Sequence, residues 1–198
     1  MSAVLVLGLA AGCAAEEPAD VPPVTEQSST PAEPEVLPGP AAGIPAAHAD
    51  GLELNGEEAD AAHAAVVAVQ NFLNYEDQVL RRGGDAYHQY GTYASGEMLN
   101  RGEDIAEEYS GNGWRLVGTV VYSEFSISSL ALHLPEDEAE VSYCADISQA
   151  DVRDGSDETV VLDDRPEKVE STVRVLRENP NTGWKVDSFV GVVEGCGS

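Results

Sequence analysis

The sequence is short of positive charge. It has 198 residues, with 10 Lys and Arg against 36 Asp and Glu, a formal net charge of -26 at pH 7. No Lys or Arg precedes Arg81. Phosphate contacts are made mainly by Lys and Arg, so this balance argues against nucleic acid as a partner and against electrostatic docking on an anionic membrane. Long apolar runs are missing as well. Residues 3–12 (AVLVLGLAAG) fall far short of the ~20 residues that a membrane-spanning helix needs. The 4 histidines (His48, His63, His88, His133) are never at metal-ligand spacing such as HExxH or HxH. There is no GxSxG and no Gly-rich phosphate loop ahead of a helix. The expectation is therefore no metal and no cofactor. Cysteine is scarce too: Cys13, Cys144 and Cys196, an odd number with no CxxC.

The N-terminal apolar run has the length of a signal-peptide core. It ends in Leu9-Ala10-Ala11-Gly12-Cys13, which resembles the bacterial lipobox, where a small residue precedes the cysteine that is lipidated and becomes the new N-terminus. The resemblance implies a signal peptide at 1–12, lipidation of Cys13, and a protein anchored on the extracytoplasmic face of the cell membrane. Two departures stand out. Leu9 is one residue further out than the pattern has it, and no basic leader precedes the run, which suggests that translation starts upstream. More than one acyl chain holds a protein stably on a bilayer, so the anchor needs no help from the polypeptide.

Residues 13–56 read as a stalk. Pro, Ala and Glu dominate from Pro18 to Pro45, with no aromatic residue and no helical or strand period. Such a segment buries too little apolar area to offset ~1–2 kcal/mol per residue of backbone ordering. Its reach holds whatever follows clear of the lipid surface.

The folded domain is expected at 57–198. Asn55 and Glu58 form a capping-box-like pair. Apolar residues then recur at Ala62, Ala65, Val66, Val69, Phe72, Leu73, Val79 and Leu80, a stripe of helical period. Arg81-Arg82 and Gly83-Gly84 supply a stop, giving a helix over 57–82. A short helical piece at 85–90 and a second helix at 95–110 follow. From Trp114 the period becomes two. Val141 to Ile147, Val169 to Val175 and Trp184 to Val192 are further strands, with a turn at Asn179-Pro180-Asn181-Thr182-Gly183. Along the first strand Trp114, Leu116, Val120 and Tyr122 are even, Phe125 and Ile127 odd, and Leu130, Leu132 and Leu134 even, a slip that predicts a bulge or break near Ser128-Ser129. Helices first and about four antiparallel strands after them make an α+β fold, with the helices packed on a curved sheet.

This element order, with Tyr143-Cys144-Ala145-Asp146 on one strand and Gly183-Trp184-Lys185-Val186 at the final hairpin, resembles the nuclear transport factor 2-like cone, in particular SnoaL- or ketosteroid isomerase-like members secreted by actinobacteria. The resemblance covers residues 57–196. It implies a pocket between sheet and helices, where enzymes of the superfamily hold Asp, His, Tyr or Arg as acid and base.

With Cys13 lipidated, Cys144 and Cys196 remain, and outside the cytoplasm a structural disulfide is the default. For catalysis the weak candidates are Asp146, which shares a strand face with Ser142 and Cys144 opposite Tyr143, then His88 and Tyr143 itself. The acidic loop Asp151–Glu158 lacks the spacing of a calcium loop and reads as a solvated loop. Two functions follow. The favoured one is an anchored accessory protein, presenting its domain to an extracytoplasmic protein or a small apolar ligand without catalysis. The alternative is a pocket enzyme, an isomerase or hydrolase of a small apolar substrate, using Asp146 with a Tyr or His. What fills the space between helix and sheet separates them: Trp114, Trp184, Phe72 and Tyr side chains alone favour the first, hydrogen-bonded titratable groups the second.

Overall fold

The computed structural model describes the backbone of residues 48–49 and all of residues 52–85, 87–161 and 164–196. The described residues belong to one compact unit. The signal peptide, Cys13 and nearly all of the expected stalk lie outside them.

Helix α1 runs from Gly56 to Arg81. It begins where the sequence asks. The Asn55 side chain accepts hydrogen bonds from the N–H groups of Glu57 and Glu58 at 3.0 and 3.2 Å, and Glu58 accepts from the Asn55 N–H at 2.9 Å. This reciprocal pair satisfies donors that the first turn would leave orphaned. The stripe from Ala62 to Val79 is buried. A 3-10 turn at Tyr87–Gln89 leads into the one-turn helix α2 (Tyr90–Tyr93), so the short helical piece lies slightly later than expected. Helix α3 spans Gly96–Asn112, and Gly113 caps it with φ 67°.

The sheet comprises β1 (His48–Ala49), β2 (Arg115–Ala131), β3 (Asp137–Arg153), β4 (Lys168–Arg177) and β5 (Lys185–Glu194), ordered β1-β2-β3-β4-β5. The four long strands are antiparallel neighbours. Helices packed on one face of a curved, unclosed sheet give the α+β class. Strand β1 differs from expectation. It falls inside the 13–56 stalk, yet its two residues pair in parallel with Ser126 and Ile127. A backbone pairing of this kind leaves no side-chain period to read.

Cross-strand partners share a face, so the register defines the inner face in rows. Ala139, Val175 and Val186 form one row, Val141, Val173 and Phe189 the next, and Tyr143, Ser171 and Val192 a third. The parity change in β2 has a visible cause. The register shifts between Ser123 and Ser126, where Glu124 takes φ 54°, and again between Ile127 and Ser129. The expected bulge at Ser128-Ser129 is thus present. The switch that turns both Tyr122 and Phe125 inward lies earlier, at Glu124.

Cys144 and Cys196 are joined by a disulfide that ties the end of the chain to β3 across 52 residues. On a chain-entropy estimate a loop of this length is worth roughly 3–4 kcal/mol. Asp137, 5% exposed, accepts two hydrogen bonds from Arg177, whose guanidinium stacks 4.8 Å from the centre of the buried Trp184 ring. The ion pair and the stack fasten the β3–β4 hairpin to the start of β5.

Candidate functional site

The inner face of α1 carries one residue that its period does not call for. Val69, Phe72, Leu73, Val79 and Leu80 follow the apolar stripe, and position 76 belongs to that stripe, but it is Glu76. The side chain is half-buried. Burial raises the pKa of its carboxyl from 4.5 to about 7; Arg101 pulls it back and Asp77 adds to the rise.

Four tyrosines feel this carboxylate. Tyr90 on α2, Tyr109 on α3, Tyr122 on β2 and Tyr143 on β3 all have raised hydroxyl pKa values. Burial is the largest cause in each case, and the charge on Glu76 is the next. Tyr109 is pushed up to about 12. Tyr122 and Tyr143 meet edge to face at 6.0 Å, and Phe125 stacks on Tyr143 at 5.9 Å. Tyr90 is fully buried, edge-on to Tyr75 at 5.0 Å. Its hydroxyl has no hydrogen-bond partner among the described residues.

Neighbouring elements hold these groups in place. Tyr90 fits because α3 has Gly102 beneath its ring. Tyr143 stands in the third inner row, with Ser171 beside it. Arg101 projects from α3, its guanidinium 5.1 Å from the centre of the Phe189 ring. Beyond Phe189 the inner face is open, and Val192 at the end of the third row is 61% exposed. The site is therefore a tyrosine-lined interior with one near-neutral carboxyl, flanked by an open stretch of β5.

Its chemistry follows. Tyrosines with raised pKa values stay protonated at neutral pH and donate hydrogen bonds; they are poor proton shuttles. Glu76 ionises close to neutrality, so it can accept a hydrogen bond or proton in one form and donate in the other. Among the described residues, no group of three or more His, Cys, Asp or Glu side chains could hold a metal ion.

The three sequence candidates separate. Tyr143 is in the site. Asp146 is not. It lies on the other strand face, where it accepts hydrogen bonds from the Ser148 hydroxyl and N–H at 2.6 and 3.1 Å and pairs with Lys168 at 3.3 Å. Those contacts, the Ser148 hydroxyl first, lower its pKa. His88 is exposed on the 3-10 turn. The acids of the 151–158 loop serve the loop itself: Asp154 accepts from Ser156 and Glu158, Asp151 from Arg153 and Thr159, and Asp157 from Arg115 and Arg153. Of the expected fillers, Phe72 and Trp184 are buried and Trp114 is half-buried. Glu76 is the residue that sequence reasoning missed.

No family model matches the chain, and no curated protein matches it. Among solved structures it is similar to the intermembrane space region of the chloroplast protein ARC6, with a TM-score of 0.49 and 17% identity, covering 68% of this chain and 97% of that one.

Proposed function

We propose that this chain is a lipid-anchored extracytoplasmic binding protein of the nuclear transport factor 2-like type, whose tyrosine-lined interior takes a small, largely apolar ligand with a polar end. The observation that carries the reading is Glu76. A carboxyl at a stripe position of α1 destabilises the fold relative to an apolar side chain, and together with the unpartnered Tyr90 hydroxyl it is suited to gripping a polar group. The disulfide supports an oxidising compartment, and the lipobox-like Cys13 supports the anchor.

A second reading, a pocket enzyme, has one observation in its favour: a carboxyl that ionises near neutrality is matched to general-base work. In that reading the base is Glu76 rather than Asp146, with Tyr143 or Tyr90 as hydrogen-bond donor.

The test is to purify the full chain and its Glu76→Leu variant from native membranes, denature both, and analyse the released small molecules by mass spectrometry. A compound released by the natural chain and missing from a variant of equal or higher thermal stability supports the reading. An empty natural chain, together with a variant that unfolds more readily, gives Glu76 a structural role and refutes it.

A further inference from the structure

A cleft opens between α1 and β2. Gln70, Leu73 and Asn74 of α1 face Val120, Val121 and Tyr122 of β2 across it, and Phe125 closes one end. Its volume is about 280 Å³, at the small end of ligand sites, which run from roughly 300 to 1,000 Å³. At about 100° per residue, Glu76 points some 120° away from Gln70 around the helix, so the two sites share the Leu73, Tyr122 and Phe125 walls but not their polar groups.

Two features of this cleft set its chemistry. No charged side chain lines it, in a chain with 36 acidic and 10 basic residues. Gln70 is only 8% exposed, yet its Oε1 has no hydrogen-bond partner among the described residues. A buried carbonyl left unpaired costs roughly 1–3 kcal/mol. The cost is removed when an occupant brings an O–H or N–H to it. The walls around Gln70, from Leu73 to Val120 and Phe125, offer apolar contact. A charged molecule would lose its hydration there with nothing to pair with.

We infer that the cleft between α1 and β2 is a binding site for a small uncharged molecule with an apolar body and one hydrogen-bond donor, such as an aliphatic alcohol, which the Gln70 carbonyl recognises. This goes beyond the Glu76 interior and does not depend on it.

The experiment titrates the full chain with 1-octanol and follows backbone amide shifts by NMR, with octyl methyl ether, octylammonium and octanoate as comparison probes. Saturable shifts at residues 70–74 and 120–125 are expected, with the ether, which cannot donate, and both ions binding at least several-fold more weakly. Gln70→Leu weakens octanol about five- to tenfold and abolishes its advantage over the ether. Val120→Trp, at a half-buried position that lines the cleft, fills the cleft and abolishes both. Three outcomes overturn the inference: no saturable shifts at these residues, octylammonium or octanoate binding as well as octanol, or octanol binding that Glu76→Gln removes while Gln70→Leu leaves it intact.

Discussion

The ring of Tyr90 occupies the space that a side chain at position 102 would need: a Cβ on Gly102 would stand 2.5 Å from Tyr90 Cε1 and 2.9 Å from Cζ. The ring is buried and cannot swing aside, so this glycine is a packing requirement set by the site. Alanine is the better helix former by about 1 kcal/mol. Gly102→Ala is nonetheless expected to destabilise by about 1–3 kcal/mol through overpacking and to displace the Tyr90 hydroxyl. Urea denaturation measures the first effect. An increase in stability would mean that Tyr90 is not held against α3.

Glu76 makes stability depend on pH with a definite sign. Its carboxyl holds a proton more tightly in the folded chain, with pKa about 7, than in the unfolded one. Between pH ~4.5 and ~7 the unfolded state has therefore lost a proton that the folded state keeps, and stability falls as pH rises through that window. Glu76→Gln removes this contribution. The variant is expected to exceed the natural chain by roughly 1–3 kcal/mol at pH 8 and to match it near pH 4, as read by chemical denaturation at the two pH values.

Asp137 works in the opposite direction. Burial alone would raise its pKa, but the Arg177 hydrogen bonds and the His133 N–H at 2.8 Å outweigh burial and leave it lowered. Its stabilisation is complete above the unfolded carboxylate range, near pH 4, and is lost as pH falls through the lower folded value. Asp137→Asn leaves Arg177 half-buried against Trp184 without its counter-charge and is expected to cost about 3 kcal/mol at pH 7. Thermal denaturation of the variant checks this. The difference from the natural chain shrinks as pH falls below the ordinary carboxylate range.

Reduction tests the closure of the chain. Cys144→Ser with Cys196→Ser is expected to lower stability by about 3–4 kcal/mol on the loop-entropy estimate. The last turns of β5 are affected first, because the Gly195 N–H bond to the Lys168 carbonyl loses its tether. Hydrogen exchange localises the loss. Protection that drops uniformly across the sheet would count against this assignment.

Much of the fold is legible in the sequence because periodicity carries it. The α1 stripe, the Asn55–Glu58 cap and the alternation around Tyr143 are each determined within a few residues. Strand β1 is not legible, since two residues of backbone pairing need no pattern. The Glu124 switch is equally hidden, because an exposed glutamate gives no sign of a positive φ. In the site, Tyr143 was readable from strand parity, and the same parity placed Asp146 on the far face. Glu76 escaped because Asn74, Tyr75, Asp77 and Gln78 surround it in sequence and hide it in a polar run. Its spacing of four from Phe72 and three from Leu73 and Val79 was the available signal.

The ionisation of Glu76 tests the central claim most directly. A carbon-detected NMR titration of its side-chain carboxyl in the free full chain is predicted to give a midpoint near 7. A midpoint below 5, the value of a carboxyl in water, would mean that Glu76 is solvated rather than enclosed among the tyrosines, and the interior binding site would then have no basis.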